Sequence, residues 1–398
     1  MIRLFTRRSG ASVPTPPSAG SAPPRGPLAR TRRRARFAVE ELDPRLLMAS
    51  GTASPDLSDR VAQALAPYFA QDQFPGISVA VVTDGQVALA QGYGVSNVAT
   101  KAPVEPDTRF DIGSVTKTFT AVGVLLLYQE SQGTSHALNL NAPISEYLHN
   151  TKSFKLPPKW SNITTTELLD MTSGIKDIGT AQPWQVQLNS VAKDRLLFAP
   201  GTKSLYSNAN YYLLGELIQQ WTGESYGTFI QNEILGPLGM SSTEELGASA
   251  RVSNQAVGYG GARRGKWPKA PVQNGSEMYA AAGMVSTAQD MATYMTALLS
   301  DRILNPATYA LMWSTTPTPQ FGLNPPADAV RGLGWDIVVD TSNGPSEVTK
   351  GGQVPGFTSE LVLYPGSDSG VFVSYNSLNP RGVSALQVAE AIHNAIQT

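Results

Sequence analysis

The strand-forming segments of this chain lie near its two ends, so a sheet can form only if those ends meet. Near the N-terminal end, "GISVAVVTDGQVALAQGYGVSN" (residues 76–97) holds two apolar runs around Asp84-Gly85. A tight two-residue hairpin needs positive φ at both turn positions, which Asp-Gly tolerates well. Near the C-terminal end, "GLGWDIVV", "TSELVLYP" and "GVFVSYNS" read as further strands, with "GSDSG" as a turn. Between them, "LLGELIQQWTG", "YGTFIQNEIL" and "TAQDMATYMTALLS" carry apolar residues three and four apart, the period of a helix. Two amphipathic helices flank the whole: "DLSDRVAQALAPYFAQ", with Val61, Leu65 and Tyr68 on one face, and "GVSALQVAEAIHNAIQ". The expected fold class is therefore α+β. A sheet drawn from residues 75–110 and 330–377 is covered by the terminal helices, with an all-helical subdomain within about 120–310. No internal repeat is visible.

At 398 residues and 41% hydrophobic content the chain can bury a large core, and residues 56–398 are read as one domain. Residues 1–55 are rich in Pro, Ser, Gly and Arg and are read as a disordered basic leader. Ten Arg in residues 1–50 against Glu40, Glu41 and Asp43 give +7, which leaves the remainder near −8. This segment lacks the 7–15-residue apolar stretch of a secretory signal. Its end, "FAVEELDPRLLMAS", resembles a leader motif of the L-E-x-R-x-L-L-S kind seen in some bacterial exported proteins, which sets an expectation of export. The cluster Arg32, Arg33, Arg34 and Arg36 could instead touch acidic surfaces.

The net charge of −1 gives no argument for a nucleic-acid partner. The absence of cysteine excludes disulfides, thiol chemistry and Cys-ligated metals. His136, His149 and His393 fall in no metal-binding spacing, so neither a metal nor a cofactor is expected. No apolar run approaches the ~18–20 residues of a transmembrane helix.

Three short motifs carry candidate chemistry. In "FDIGSVTKTFTAVGVLLLYQE", Ser114 and Lys117 stand three apart at the start of an apolar helix, where both side chains share a face. The helix N-terminus favours negative charge on an attacking oxygen and, with burial, lowers the Lys pKa, so a neutral amine can take the Ser proton. Gly113 leaves the approach to Ser114 free of a side chain. The plainer alternative is a capping serine. Ser173/Lys176 and Ser190/Lys193 repeat the spacing, but in a loop and in a polar stretch.

In the second motif, "YSN", Tyr206 held near a Lys would ionise more readily and shuttle a proton, and Asn208 can orient the Lys and a substrate amide. Alternatively these residues simply begin a helix. In the third, Lys350-Gly351-Gly352 precedes a strand-like run, with glycines that admit a ligand backbone. The backbone N–H groups of Ser114 and Gln353 could form an oxyanion hole. The alternative is a Gly-rich turn into an edge strand.

S-x-x-K, Y-x-N and K-G-G in this order resemble the serine β-lactamase and penicillin-binding-protein superfamily. Tyr in the second motif points to the class C β-lactamase, D-Ala-D-Ala carboxypeptidase and esterase branch, the β-lactamase-related serine hydrolases. Blocks such as "RFDIGSVTKTFTA", "FAPGTKSLYSNANYYLLGELIQQWTG", "ILGPLGMSST", "AAGMVSTAQDMATYM" and "GGQVPGF" extend the resemblance over roughly residues 57–396. It implies a β-lactamase/transpeptidase-like fold with the site between the sheet domain and the helical subdomain. It also implies Ser114 as acylated nucleophile, Lys117 as its base and Tyr206 in proton transfer. Asn208 would position Lys117 and a substrate amide, Lys350 would hold Tyr206 and a substrate carboxylate, and the backbone of Ser114 and Gln353 would form the oxyanion hole.

Two departures stand out. Gly351 replaces the Thr of the usual K-T-G, removing a hydroxyl that helps to bind a β-lactam carboxylate. Met171 stands where many relatives carry His. The resulting expectation is a serine hydrolase acting on amides or esters, such as D-amino-acid peptides, peptidoglycan-derived compounds or small esters. A β-lactamase proper and a non-catalytic penicillin-binding or peptidoglycan-sensing module are the alternatives. "GESYG" (residues 223–227) matches G-x-S-x-G but follows a helix, which argues against Ser225 as a nucleophile.

Overall fold

The computed structural model describes residues 55–397, apart from short stretches at 152–153, 178–181, 248–251, 264, 273, 316–318, 320–328, 341–343 and 379–381. The expected leader, with its Arg cluster and export motif, lies outside the described residues except for Pro55, which opens the first helix.

In chain order, helix α1 (Pro55–Ala70) precedes the hairpin β1 (Gly76–Thr83) and β2 (Gln86–Asn97), then short strands β3 (Ala102–Pro103) and β4 (Phe110–Asp111). The helical part follows: α2 (Thr116–Ser131), α3 (Thr165–Leu169), α4 (Trp184–Val191), α5 (Asn208–Thr222), α6 (Tyr226–Ile230), β5 (Glu244–Glu245), α7 (Gly275–Ala282), β6 (Met284–Ser286), α8 (Ala288–Leu299) and α9 (Pro306–Met312). The chain closes with β7 (Ala329–Arg331), β8 (Asp336–Asp340), β9 (Gly344–Val354), β10 (Phe357–Tyr364), β11 (Ser369–Tyr375) and α10 (Ala385–Ile396).

The two ends meet as the sequence requires. Eight strands form one sheet in the order β3-β2-β1-β11-β10-β9-β8-β7. Every pairing within it is antiparallel, and β11 is inserted between the N-terminal hairpin and β10. Asp84 (φ 50°) and Gly85 (φ 67°) take the positive φ values that tight hairpin turns demand.

Alternation along β1 explains its unbroken apolar run. Ile77, Val79 and Val81 pack with Val61 and Leu65 of α1 and Val388, Ala389 and Ile392 of α10. Ala80 and Val82 face the opposite side and join the main core with α2, α5 and α8. A strand buried on both faces reads as continuously apolar. Helix α2 is buried all round: Phe119, Val122, Val124 and Leu125 are inaccessible, and so are Thr116, Lys117, Thr118 and Thr120. Its threonines are satisfied, Thr118 donating to the Val115 carbonyl within the same turn and Thr120 to that of Ala280 on α7.

Three details differ from the sequence reading. "GLGWDIVV" becomes a strand only at Asp336; before it, Gly332 donates to the Trp335 carbonyl in a turn. Lys350-Gly351-Gly352 lies inside the eleven-residue β9 and does not precede a strand. β9 is an interior strand, because β8 pairs with its first half. The third is a small sheet, β4-β6-β5, which the sequence did not disclose because its strands span only two or three residues. It matters for the site, since β4 leads into Ser114 and β6 follows directly after α7.

Candidate active site

Ser114 sits in a single 3-10 turn, Gly113–Val115, that runs straight into α2. Lys117 is the second residue of that helix. Its buried ammonium donates to Ser114 Oγ at 3.1 Å, Asn208 Oδ1 at 2.8 Å and the Ala281 carbonyl at 2.8 Å. Burial, with no part of the side chain exposed, holds the Lys117 pKa well below the usual lysine value, and the neighbouring charges of Lys350 and Arg331 act in the same direction. Asp177 and Asp336 oppose them.

A neutral amine has two N–H bonds and one lone pair. Asn208 Oδ1 and the Ala281 carbonyl can accept only, so they take the two hydrogens. The lone pair is then left facing the Ser114 hydroxyl. The geometry thus sets up a serine beside a base.

Tyr206 completes the contact: its hydroxyl lies 2.5 Å from Ser114 Oγ. Three cations surround its ring, with Lys117 Nζ 4.8 Å, Lys350 Nζ 5.7 Å and the Arg331 guanidinium carbon 5.9 Å from the ring centroid. The sequence reading expected a nearby Lys to ease its ionisation. Desolvation prevails instead over the Ser114 hydrogen bond and the Arg331 charge and pushes the Tyr206 pKa well above the usual phenol value, so Tyr206 rests as a neutral phenol.

Asn208 opens α5. While its side-chain oxygen accepts from Lys117, its backbone N–H and its Nδ2 donate to Asp177 Oδ1 at 2.9 and 3.3 Å. The Met171 thioether accepts from the Ser207 N–H at 3.5 Å and from Asn210 Nδ2 at 3.2 Å, so Met171 braces the turn that presents Tyr206 and Asn208. That gives the Met-for-His departure a structural role.

β9 brings the third motif alongside. Pairing with β8 ends at Thr349, and from Lys350 onward the strand runs beside the Ser114 turn. Lys350 is 2% exposed and its Nζ lies 3.3 Å from Asp336 Oδ2; Asp336 also pairs with Arg331. Gly113 (φ 51°) and Gly352 pack backbone against backbone: a Cβ on Gly113 would lie 2.7 Å from Gln353 N, and one on Gly352 would lie 2.2 Å from the Ile112 carbonyl oxygen and 3.0 Å from Ser114 N. Gly113 thus serves the close approach of β9, a different use from keeping Ser114 uncovered. Gly352→Ala should force the strand off the turn, at about 1–3 kcal/mol of stability. Thermal unfolding of that variant checks this, and an unchanged Tm contradicts it.

All eight sequence-derived residues converge except Gly351, whose missing side chain would point at Glu360 on the other sheet face. Sequence reasoning missed Asp177, Arg331, Asp336 and the Ala281 carbonyl. Asp336 and Arg331 gave one usable signal, as charges within otherwise apolar strands; the carbonyl gave none. The other S-x-x-K pairs do not form sites. Ser173 Oγ donates to Asn210 Oδ1 at 2.6 Å while Lys176 pairs with Asp194 on the surface, and Ser190 and Lys193 are exposed. Ser225 caps α6, and its side chain bonds to Thr228. Among the described residues no cluster of His, Cys, Asp and Glu could hold a metal ion, and no helix is long and apolar enough to cross a membrane.

The sequence profile of the Beta-lactamase family matches residues 61–394. Among curated proteins, an unguisins hydrolase of Aspergillus campestris is 31% identical over 323 residues, 76% of this chain and 58% of its own length. Protein flp of Staphylococcus aureus is 36% identical over 195 residues, 46% of this chain and 38% of that protein. The chain thus spans less than two thirds of the length of these curated relatives. Among solved structures, the octameric penicillin-binding protein homologue of Pyrococcus abyssi superposes with a TM-score of 0.71 at 26% identity, covering 85% of this chain and 77% of that one. The D-amino acid amidase of Ochrobactrum anthropi SV3 gives 0.72 at 23% identity, covering 86% and 99%.

Proposed function

The chain belongs to the Beta-lactamase family, and on that premise we propose that it is a serine hydrolase that forms an acyl-enzyme on Ser114 and acts on amides or esters. The observation that carries this reading is the hydrogen-bond pattern of Lys117, whose two acceptor-only partners leave its lone pair for the Ser114 hydroxyl. In acylation, Ser114 Oγ attacks the substrate carbonyl carbon while its proton passes to Lys117 Nζ. The carbonyl oxygen becomes an oxyanion beside the N–H groups of Ser114 and Gln353, which the Gly113–Gly352 packing brings to the same junction.

As the tetrahedral intermediate collapses, the bond to the leaving amine or alkoxide breaks. Tyr206, a neutral phenol 2.5 Å from Ser114 Oγ, gives that group its proton and is reprotonated from Lys117. Water then attacks the ester carbonyl, and the same groups return Ser114 to its hydroxyl form. Asn208 Nδ2 has one hydrogen beyond its bond to Asp177, suited to a substrate carbonyl.

The relatives whose names state an activity, a hydrolase and an amidase, support amide substrates such as D-amino-acid derivatives. The missing hydroxyl at Gly351 weighs against a β-lactamase proper. A complete Ser114–Lys117–Tyr206 contact weighs against a non-catalytic sensing module. Such a module would acylate without releasing product.

The decisive experiment compares a chromogenic cephalosporin, a D-Ala-D-Ala peptide, a D-amino-acid amide and short-chain p-nitrophenyl esters, with intact-mass detection of the adduct on Ser114. Turnover of an amide or ester with a transient adduct is expected. A persistent adduct without turnover favours the sensor, and no adduct from any substrate removes the proposal. Tyr206→Phe should lower kcat by roughly 10²–10⁴ if the phenol transfers a proton. A loss below about threefold, small against that range, would leave Tyr206 a scaffold residue.

A further inference from the structure

The Ala281 carbonyl that orients Lys117 follows a stretch of backbone held away from its ordinary conformation. Within α7, Tyr279 has φ 42° and ψ −138°. That combination suits glycine, and a bulky residue adopts it only when its surroundings over-determine it. Here they act from three sides. The Tyr279 ring lies flat on Trp184 of α4, with centroids 4.6 Å and planes 7° apart. On α5, Gly215 leaves the room this ring needs: a Cβ there would lie 2.5 Å from Tyr279 Cε1 and 2.6 Å from Ala280 Cβ. From α2, Thr120 Oγ1 donates to the Ala280 carbonyl at 2.7 Å and Lys117 Nζ to that of Ala281 at 2.8 Å. In a continuing helix the Met284 N–H would bond to the Ala280 carbonyl; here it donates to Thr116 Oγ1 at 3.2 Å. The kink thus turns two successive carbonyls of α7 onto α2. The Tyr279 hydroxyl is buried without a hydrogen-bond partner among the described residues, so the fold uses the ring and leaves the hydroxyl idle.

We propose that Tyr279 and Trp184 are positioning residues: their stack locks the kink in α7, and the kink keeps the Ala281 carbonyl on Lys117 Nζ and the amine's lone pair on Ser114. The inference rests on the acyl-enzyme reading above. When the kink relaxes, the Ala281 oxygen leaves the amine, which is then free to turn an N–H toward Ser114 and so fails as its base. The ammonium form also loses an acceptor, which lowers the Lys117 pKa further. The charges that face Lys117, on Lys350, Arg331, Asp177 and Asp336, are the same with the kink or without it.

The test compares Tyr279→Gly with Tyr279→Ala in the full-length protein, using p-nitrophenyl acetate or whichever panel substrate turns over faster. Both variants lose the ring and leave nearly the same void, but only glycine accepts the kinked backbone without strain. Tyr279→Ala should fall below Tyr279→Gly by about tenfold or more in kcat, the cost of a misplaced catalytic group, with KM little changed. The acid limb of its pH profile should also lie at lower pH. Tyr279→Phe keeps the stack and should keep wild-type kcat and pH profile. Trp184→Leu alters no residue of α7 and should lower kcat and move the acid limb down, which gives the same reading if neither small variant folds.

Equal kcat in the glycine and alanine variants overturns the proposal. So does an acid limb that stays put or moves up in Trp184→Leu, the result of a residue that merely fills space or keeps water out. A Tyr279→Phe variant that loses tenfold in kcat would assign the effect to the hydroxyl and overturn it too. Tm supplies a reading that needs no turnover. Tyr279→Gly should melt above Tyr279→Ala, against the ordinary helix preference for alanine, and should do so in a Ser114→Ala background as well. The reverse order removes the strained kink. Hydrolysis that persists in Ser114→Ala would instead sink the acyl-enzyme reading.

Discussion

Ser114→Ala should abolish hydrolysis of whichever substrate the panel identifies, by roughly 10⁴-fold or more, as loss of the nucleophile does in other serine hydrolases. The structure makes the expectation sharp, because the hydroxyl that touches Ser114 Oγ is ill suited to replace it. Tyr206, the next hydroxyl at 2.5 Å, is a phenol whose pKa burial raises, so it is a poor nucleophile at neutral pH. The variant should fold like the wild type, since Ser114 Oγ bonds only to Tyr206 and Lys117 among the described residues. It should also give no covalent adduct by intact mass. Turnover within about tenfold of the wild type, far short of the loss expected of a nucleophile, would mean that the chemistry lies elsewhere.

Lys117→Met should remove most of the rate as well, about 10²–10⁴-fold, the range for loss of a general base. Met keeps the apolar stem of the side chain without the amine and buries no charge, so the loss reports on the amine itself. The pH profile supplies a second reading. On the proposed mechanism Lys117 would work as its neutral form, and burial holds its pKa well below the usual lysine value. Activity should therefore rise with pH through that lowered pKa and level off above it.

Neighbouring charges should move this acid limb in opposite directions. Asp177→Asn removes an anion that raises the Lys117 pKa, and shifts the limb to lower pH. Lys350→Met removes a cation that lowers it, and shifts the limb to higher pH. Rates measured across pH for the wild type and these two variants check the signs. A limb unmoved by either neutralisation would exclude Lys117 as the titrating base.

The sequence disclosed those parts of the molecule that depend on local pattern. The hairpin at Asp84-Gly85 and the strands at both ends were readable because β1, β10 and β11 are largely buried on both faces and each carries a run of at least three apolar residues. Ser114, Lys117, Tyr206 and Asn208 were readable because their spacing is fixed by helix starts. The environment of Lys117 was legible only in part. Burial by the apolar turns of α2 could be seen, but the Ala281 carbonyl that orients the amine is a backbone atom 164 residues away. Tyr206 was read with the wrong direction of shift because nearby cations are visible as residues while desolvation is a property of packing. Gly351 looked like a lost hydroxyl. Only the register that sets it against Glu360 shows what fills its place.

One consequence of the strand order concerns time. β1 pairs with β11 through Ile77 opposite Tyr375, and Gly113 meets Gln353 across the same late-arriving part of the chain. A chain still under synthesis holds Ser114, Lys117, Tyr206 and Asn208 long before it holds the strand that flanks them. Non-local pairing of this kind is slow, because loop closure must precede the contacts that reward it. The nascent chain therefore carries its serine without the amide of Gln353. On the acyl-enzyme reading proposed above, acylating power would arrive late, with completion of the sheet.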